Sequence, residues 1–238
     1  MTTETATGQI SPGPTTARPA AELVCEYLWR PPEAFRGVRW DYFPEEIKAA
    51  VNESLGSLYN ENPRGLLIMG PVGTGKTSLL WLIARERIRR WCGRVSRHLE
   101  QLRDDYEAGW LEYLHPTVWH LTTVLKHSDV VRELREHRAA DHEYSAPFPE
   151  ILKRLVICID DLGVGYDDQS GWNLSLQEEW FDWRWENRMP LIITTNKGRG
   201  GEHGLRNWPG WTRIVDRIAD PEYMITISLP GKSKRVKR

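Results

Sequence analysis

The sequence predicts an α/β domain with a mainly parallel, five-stranded sheet covered by helices, and three observations carry that reading. Short runs of four or five wholly apolar residues recur along the chain, the pattern of strands buried on both faces. Between them lie stretches whose apolar residues return at helical spacing, so strand and helix alternate. One glycine-rich turn joins a buried strand directly to an amphipathic helix.

Taken in order, Phe43 and Pro44 open a helix with Ile47, Val51, Leu55 and Leu58 on one side, and Asn62-Pro63 stops it. Gly65–Met69 is the first apolar strand. After the glycine turn, a helix runs from about Lys76 to Trp91, with Leu80, Ile83, Ala84 and Ile88 along one face. Past Gly93, residues 94–112 continue as an extra helix through Val95, Leu99, Leu102 and Tyr106. Thr117–Leu121 reads as a strand, and Ser128 can cap a helix reaching about Arg138. Leu155–Ile159 is a second wholly apolar strand. Ser175 and Glu178 form a capping box for a helix that ends near Arg188, because Met189 precedes Pro190. Leu191–Thr194 and Met224–Leu229 complete the set of strands.

Flanking this body, residues 1–20 hold six Thr and three Pro with few bulky apolar groups. Such a stretch buries too little to offset its ordering entropy, which predicts a disordered tail. The body extends over 21–231, and residues 232–238 carry five positive charges as a basic tail. At 238 residues the chain accommodates one sizeable α/β domain. A formal net charge of −1 gives no global basic field, so any nucleic-acid surface must be local. Cys25, Cys92 and Cys158 are scattered without metal-ligand spacing, which argues against a zinc site or a disulfide framework and suits a reducing cytoplasm. No apolar run approaches the ~18 residues of a membrane span, and no secretory signal opens the chain. The 12 tryptophans are spread along the chain, as packing residues would be.

The chemistry centres on Gly70-Pro71-Val72-Gly73-Thr74-Gly75-Lys76-Thr77, a match to G-x-x-x-x-G-K-[ST] between strand and helix. Glycines let main-chain N–H groups turn inward around phosphate oxygens at the helix N-terminus. Lys76 then reaches the β- and γ-phosphates, and the Thr77 hydroxyl binds Mg²⁺. A chance match in a chain of this composition has odds of about one in a hundred before its context is counted. The motif therefore predicts ATP and Mg²⁺ as cofactors.

Asp160 and Asp161 close the second apolar strand, where an acid faces the ligand crevice of a parallel sheet. Asp160 is expected to hold Mg²⁺ through water, and Asp161 to orient and polarise the hydrolytic water. A separate strand between the P-loop and this acidic strand matches the ATPase branch in which the second acid is catalytic. Asn196, ending the strand after Leu191–Thr194, can fix the attacking water with its amide, or can simply start a turn before Lys197-Gly198. Asn196-Lys197-Gly198-Arg199 begins like a guanine-reading motif, but Arg199 cannot accept the two guanine N–H donors, which argues against GTP.

Several strings, in order, are similar to the DnaC/IstB family of AAA+ ATPases: Pro31-Pro32 with Phe35–Trp40, Gly70–Thr77, and Ile159-Asp160-Asp161-Leu162-Gly163. Further along come Pro190–Asn196, Arg213–Ile218 and Gly231–Arg235. The resemblance covers about residues 31–235. It implies an AAA+ fold without an extensive C-terminal lid. It also implies ATP hydrolysis by a homo-oligomer with shared sites on single-stranded DNA, with a replicative helicase as partner. A transposase partner on duplex DNA is the alternative. By the same resemblance Arg217 is a trans-acting arginine finger, with Arg213 as the other candidate. Lys126, His127, Arg132, Arg135 and Arg138 follow the second strand, where the family touches DNA, although interleaved Glu133 and Glu136 also suit an ordinary exposed face. A kinase acting on a small molecule would need an acceptor pocket and an Arg-rich lid; the two acids with Asn196 favour water as the acceptor.

Overall fold

A computed structural model describes residues 19–28, 31–58, 60–106, 122–139, 148–163, 171–197, 204–207 and 210–231. The expected disordered and basic tails fall almost wholly outside these residues, as does the strand expected at Thr117–Leu121.

Five strands form one sheet: β1 (Gly65–Met69), β2 (Thr122–Lys126), β3 (Val156–Asp160), β4 (Leu191–Thr195) and β5 (Met224–Ser228). All neighbours pair parallel, in the order β2-β3-β4-β1-β5. The helices are α1 (Ala20–Leu28), α2 (Glu45–Ser57), α3 (Lys76–Arg94), α4 (Ser96–Tyr106), α5 (His127–Ala139), α6 (Trp172–Glu186) and α7 (Thr212–Ala219). β4 lies between the P-loop strand β1 and the acidic strand β3, so the loops after all three converge at one end of the sheet.

Strand periodicity builds two cores. Leu66, Ile68, Cys158 and Ile192 face α2 and α3, packing on Ile47, Val51, Leu79 and Ile83. Their neighbours Leu67, Ile157, Ile159 and Ile193 face α5, α6 and α7, against Val130, Trp180, Ile214 and Ile218. Because successive side chains point to opposite faces, a strand buried on both is mostly apolar; β1 and β3 are apolar over their buried lengths for that reason, and β4 is over Leu191–Ile193 before the buried Thr194 and Thr195. Within α6, Trp180 and Phe181 sit edge-on to each other, their ring centroids 5.0 Å apart.

Most boundaries shift by a residue or a few, and three departures from the sequence reading concern the edge strand and two helix starts. The strand that pairs with β3 is Thr122–Lys126, immediately after the segment expected. Ser128 lies inside a helix that starts at His127, so it is no cap. Ser175 likewise sits within α6, which starts at Trp172 behind Gly171 in the left-handed conformation (φ 69°). The Ser175 hydroxyl turns back to the Gly171 carbonyl, 3.4 Å away, so the capping box does not form.

Candidate nucleotide site

Leaving β1, the chain turns through Gly70–Gly75 and enters α3 at Lys76. Gly75, the residue ahead of the helix, is left-handed at φ 96°, a conformation that an L side chain resists. Gly70 is demanded by crowding, since a Cβ there would lie 2.6 Å from the Leu229 carbonyl oxygen. The resulting loop lies over the N-terminus of α3, where free N–H groups and the helix dipole favour an anion.

Lys76 is buried, and its Nζ donates to the carbonyls of Gly70 and Pro71, each at 2.8 Å. The ammonium thus folds back onto its own loop, holding acceptors that a phosphate would replace. Thr77 Oγ1 donates to Asp160 Oδ1 at 3.0 Å, tying the phosphate loop to the end of β3. The same carboxylate oxygen accepts from Thr194 Oγ1 at 2.7 Å. That hydroxyl also accepts from the Asp161 N–H at 2.9 Å, so Thr194 fixes both acids. Burial raises the Asp160 pKa, Thr194 opposes this, the like charge of Asp161 adds to it, and Thr77 opposes it again. A carboxylate and a hydroxyl in contact, with that charge uncompensated, form a hard oxygen set suited to Mg²⁺.

Asp161 occupies the left-handed region at φ 55°, uncommon outside glycine and tolerated best by Asn and Asp. Its Oδ1 accepts from Asn196 Nδ2 at 3.2 Å. The two groups expected at the water therefore meet across β3 and β4. Both line a cavity of about 510 Å³ whose floor is Gly73, Gly75, Lys76 and Thr77. Phe35, Val38, Tyr42 and Phe43 also line it. Tyr42 and Val72, two of the large apolar residues most exposed to solvent, border this space.

Arg217 is not brought to the cavity. It stands on α7, where its Nε donates to Asp182 Oδ1 at 2.9 Å and its guanidinium lies 4.2 Å above the Trp185 ring. Arg213 binds the other oxygen of the same carboxylate at 2.6 Å. The basic segment after β2 is largely occupied as well. Arg132 pairs with Asp129 at 3.1 Å, and Arg138 with Glu179 at 3.3 Å. His127 is buried, bonded through Nε2 to Gln177 Oε1 at 2.7 Å, and burial lowers its pKa, so it presents no charge to a nucleic acid. Thr194 and Asp182 were missed in the sequence. A hydroxyl ending an otherwise apolar strand was the available signal for Thr194; nothing local marked Asp182.

Strand order and the loop–acid pair define the class: the fold is that of a P-loop NTPase of the AAA+ type, an α/β sheet with helices on both faces. No protein-family model matches the chain, and comparison with curated proteins gives no match. Among solved structures, it is similar to a protein of Streptococcus pyogenes serotype M3 described as a primosome component, at TM-score 0.53 and 18% identity. That match covers 92% of this chain and 100% of the other. The DnaC helicase loader aligns at TM-score 0.52 and 16% identity, over 82% of this chain and 99% of that one. DnaI aligns at TM-score 0.52 and 21% identity, over 87% and 95%. Among the described residues no helix is long and apolar enough to cross a membrane.

Proposed function

We propose that the chain is a DnaC-like replication ATPase. It binds Mg·ATP in the 510 Å³ cavity and couples hydrolysis to loading a replicative helicase onto single-stranded DNA. The observation that carries the ATPase reading is the 3.0 Å bond from Thr77 to Asp160 beneath a cavity shared by Lys76, Asp161 and Asn196. Main-chain N–H groups of Gly73–Lys76 hold the phosphates, and Lys76 releases the Gly70 and Pro71 carbonyls to reach them. Thr77 and Asp160 hold the cation, which would neutralise charge building on the transferring phosphoryl group. Asp161 takes the water's proton while the Asn196 amide fixes the water's position. The lining residues Phe35, Val38, Tyr42 and Phe43 offer apolar surface for the adenine ring.

Arg217 serves the cavity of a neighbouring copy, a role supported by its separation from the cavity of its own chain. That requires it to leave Asp182; until then its guanidinium rests on the Trp185 ring with the side chain partly exposed. The helicase-loading part of the proposal is supported by the fold shared with the loader structures and by the motif resemblance. It is tested with the replicative helicase of the same cell and a circular single strand. ATP-dependent deposition of helicase on the circle is expected, and Lys76→Ala should abolish it. Hydrolysis that ignores single strands while the helicase is never deposited would refute the loader role and leave the ATPase standing.

A further inference from the structure

Two of the three cysteines that look scattered in sequence come together in the fold. Cys25 on α1 and Cys92 near the end of α3 meet where these two helices pack, beside the small core of Ala20, Val24 and Leu99. Each thiol shifts the other's pKa, Cys25 downward and Cys92 upward. Both line a second cavity, about 730 Å³, that also receives Arg85, Glu86 and Arg89 and lies apart from the nucleotide site. Cys25 is partly accessible, whereas Cys92 and Cys158 are buried. The pair is thus two thiols lining one cavity from two packed helices, one partly accessible and one buried.

We infer that Cys25 and Cys92 form a reversible dithiol–disulfide clasp that takes electrons to a low-molecular-weight disulfide and, when closed, locks α1 onto α3. The Cys25 thiolate attacks one sulfur of the reagent disulfide, forming a mixed disulfide and expelling one thiolate, which takes a proton. Cys92 loses its proton to solvent and attacks the Cys25 sulfur, closing the intramolecular bond and releasing the second thiol. Two electrons and two protons leave the protein, and one reagent disulfide becomes two thiols. The division of roles follows from the surroundings. Cys92, and then the Arg89 charge, lower the Cys25 pKa against burial and the carboxylates Glu22 and Glu86. Cys92, the more deeply packed thiol, is pushed upward by Cys25 and by burial. Cys158, fully enclosed and raised to about 12 by burial, serves as an internal control.

The clasp closes a loop spanning the whole P-loop segment, so it removes freedom chiefly from the unfolded chain. α1 is also held by the small core and by a bond from the Ala20 N–H to Glu100 at 2.8 Å. The test titrates the full-length protein with oxidised glutathione and maps its peptides. A Cys25–Cys92 linked peptide is expected, with Cys158 still free and the intact mass lower by two hydrogens. Cys25 should react at least ~10-fold faster than Cys158, and Cys92→Ala should instead retain one glutathione on Cys25. The oxidised form should unfold at a midpoint roughly 5–10 °C higher. A stable glutathione adduct in the wild-type chain, a disulfide between copies, or no thiol loss in the folded protein would each overturn the clasp. A closed bond with an unchanged or lowered midpoint would overturn the locking of α1. If Cys92→Ala fails to fold, the wild-type peptide map decides alone.

Discussion

The two ends of the sheet each bury a cation among main-chain carbonyls, and they use it oppositely. At the carboxyl end Lys76 donates to two carbonyls of its own loop, beside an open cavity. At the amino end Arg184, fully buried, donates to the carbonyls of Leu152, Arg154, Leu155 and Pro190, all between 3.0 and 3.1 Å. These carbonyls lead into β3 and β4, so one guanidinium staples the starts of two strands. Burial lowers its pKa only to about 10, leaving it charged at neutral pH, with the Trp180 face 5.5 Å away. Arg184 has filled its place permanently. Lys76 holds carbonyls that can be given up, and the cavity next to it supplies the reason to give them up.

The largest expected effect separates these two cations by function. Lys76→Ala should reduce ATP turnover by on the order of 10³, because the basic side chain that lines the cavity among the described residues is lost, while the unfolding midpoint moves little. Full turnover in a folded Lys76→Ala protein would remove the central assignment. Arg217→Ala should be inactive too, and mixing the two dead variants should restore part of the activity if the arginine acts across an interface. A mixture that co-assembles and stays dead would leave Arg213 as the next residue to test.

Arg184→Met should do the reverse. It takes the guanidinium from four carbonyls at the strand starts, of which that of Leu152 keeps a second donor, Trp180 Nε1, a loss of about 3 kcal/mol in unfolding free energy. Any remaining folded protein should keep its nucleotide affinity. Urea unfolding of Arg184→Met within about 1 kcal/mol of the wild type would show that water can replace the guanidinium and that the two ends are less different than proposed.

Next in size is the division of labour between neighbouring acids. Asp161→Asn should stop hydrolysis yet keep Mg·ATP bound, whereas Asp160→Asn should also weaken Mg·ATP by about 10-fold. Equal weakening in both would mean that the roles are not separable.

How much of this was legible depended on how local the cause was. β1 was read to the residue and β4 to within one, because burial on both faces leaves a mostly apolar run bounded by Gly or Pro. The edge strand β2 was misplaced, since it has only one neighbour and its Thr122, Thr123 and Lys126 dilute the apolar pattern. The P-loop, Asp160, Asp161 and Asn196 were visible because each ends or follows a buried strand. Asp182, holding Arg213 and Arg217, and the Cys25–Cys92 pair were not visible. Those pairs are made by helices packing across long stretches of chain, and neither partner carries a local spacing that betrays the other.

The smallest effect concerns Asp160 itself, and it distinguishes an active-site acid from a structural one. Burial, ahead of every other influence, holds its pKa above the usual carboxylate range in the protein without a cation. A carboxyl with a higher pKa folded than unfolded binds its proton more tightly in the folded chain. Its stabilising contribution is complete below the ordinary carboxylate pKa of about 4 and is lost as pH rises through the raised value. Asp160→Asn stays neutral throughout, so its stability relative to the wild type should climb over that window and level off above it. Urea unfolding in chelator, repeated at several pH values, measures this difference directly. Mg²⁺ with nucleotide should shrink or reverse it, because the cation compensates the charge that burial penalises. A difference that does not change with pH in chelator would mean that the Thr77 and Thr194 hydroxyls already satisfy the ionised carboxylate, and that the site does not need a cation to be comfortable.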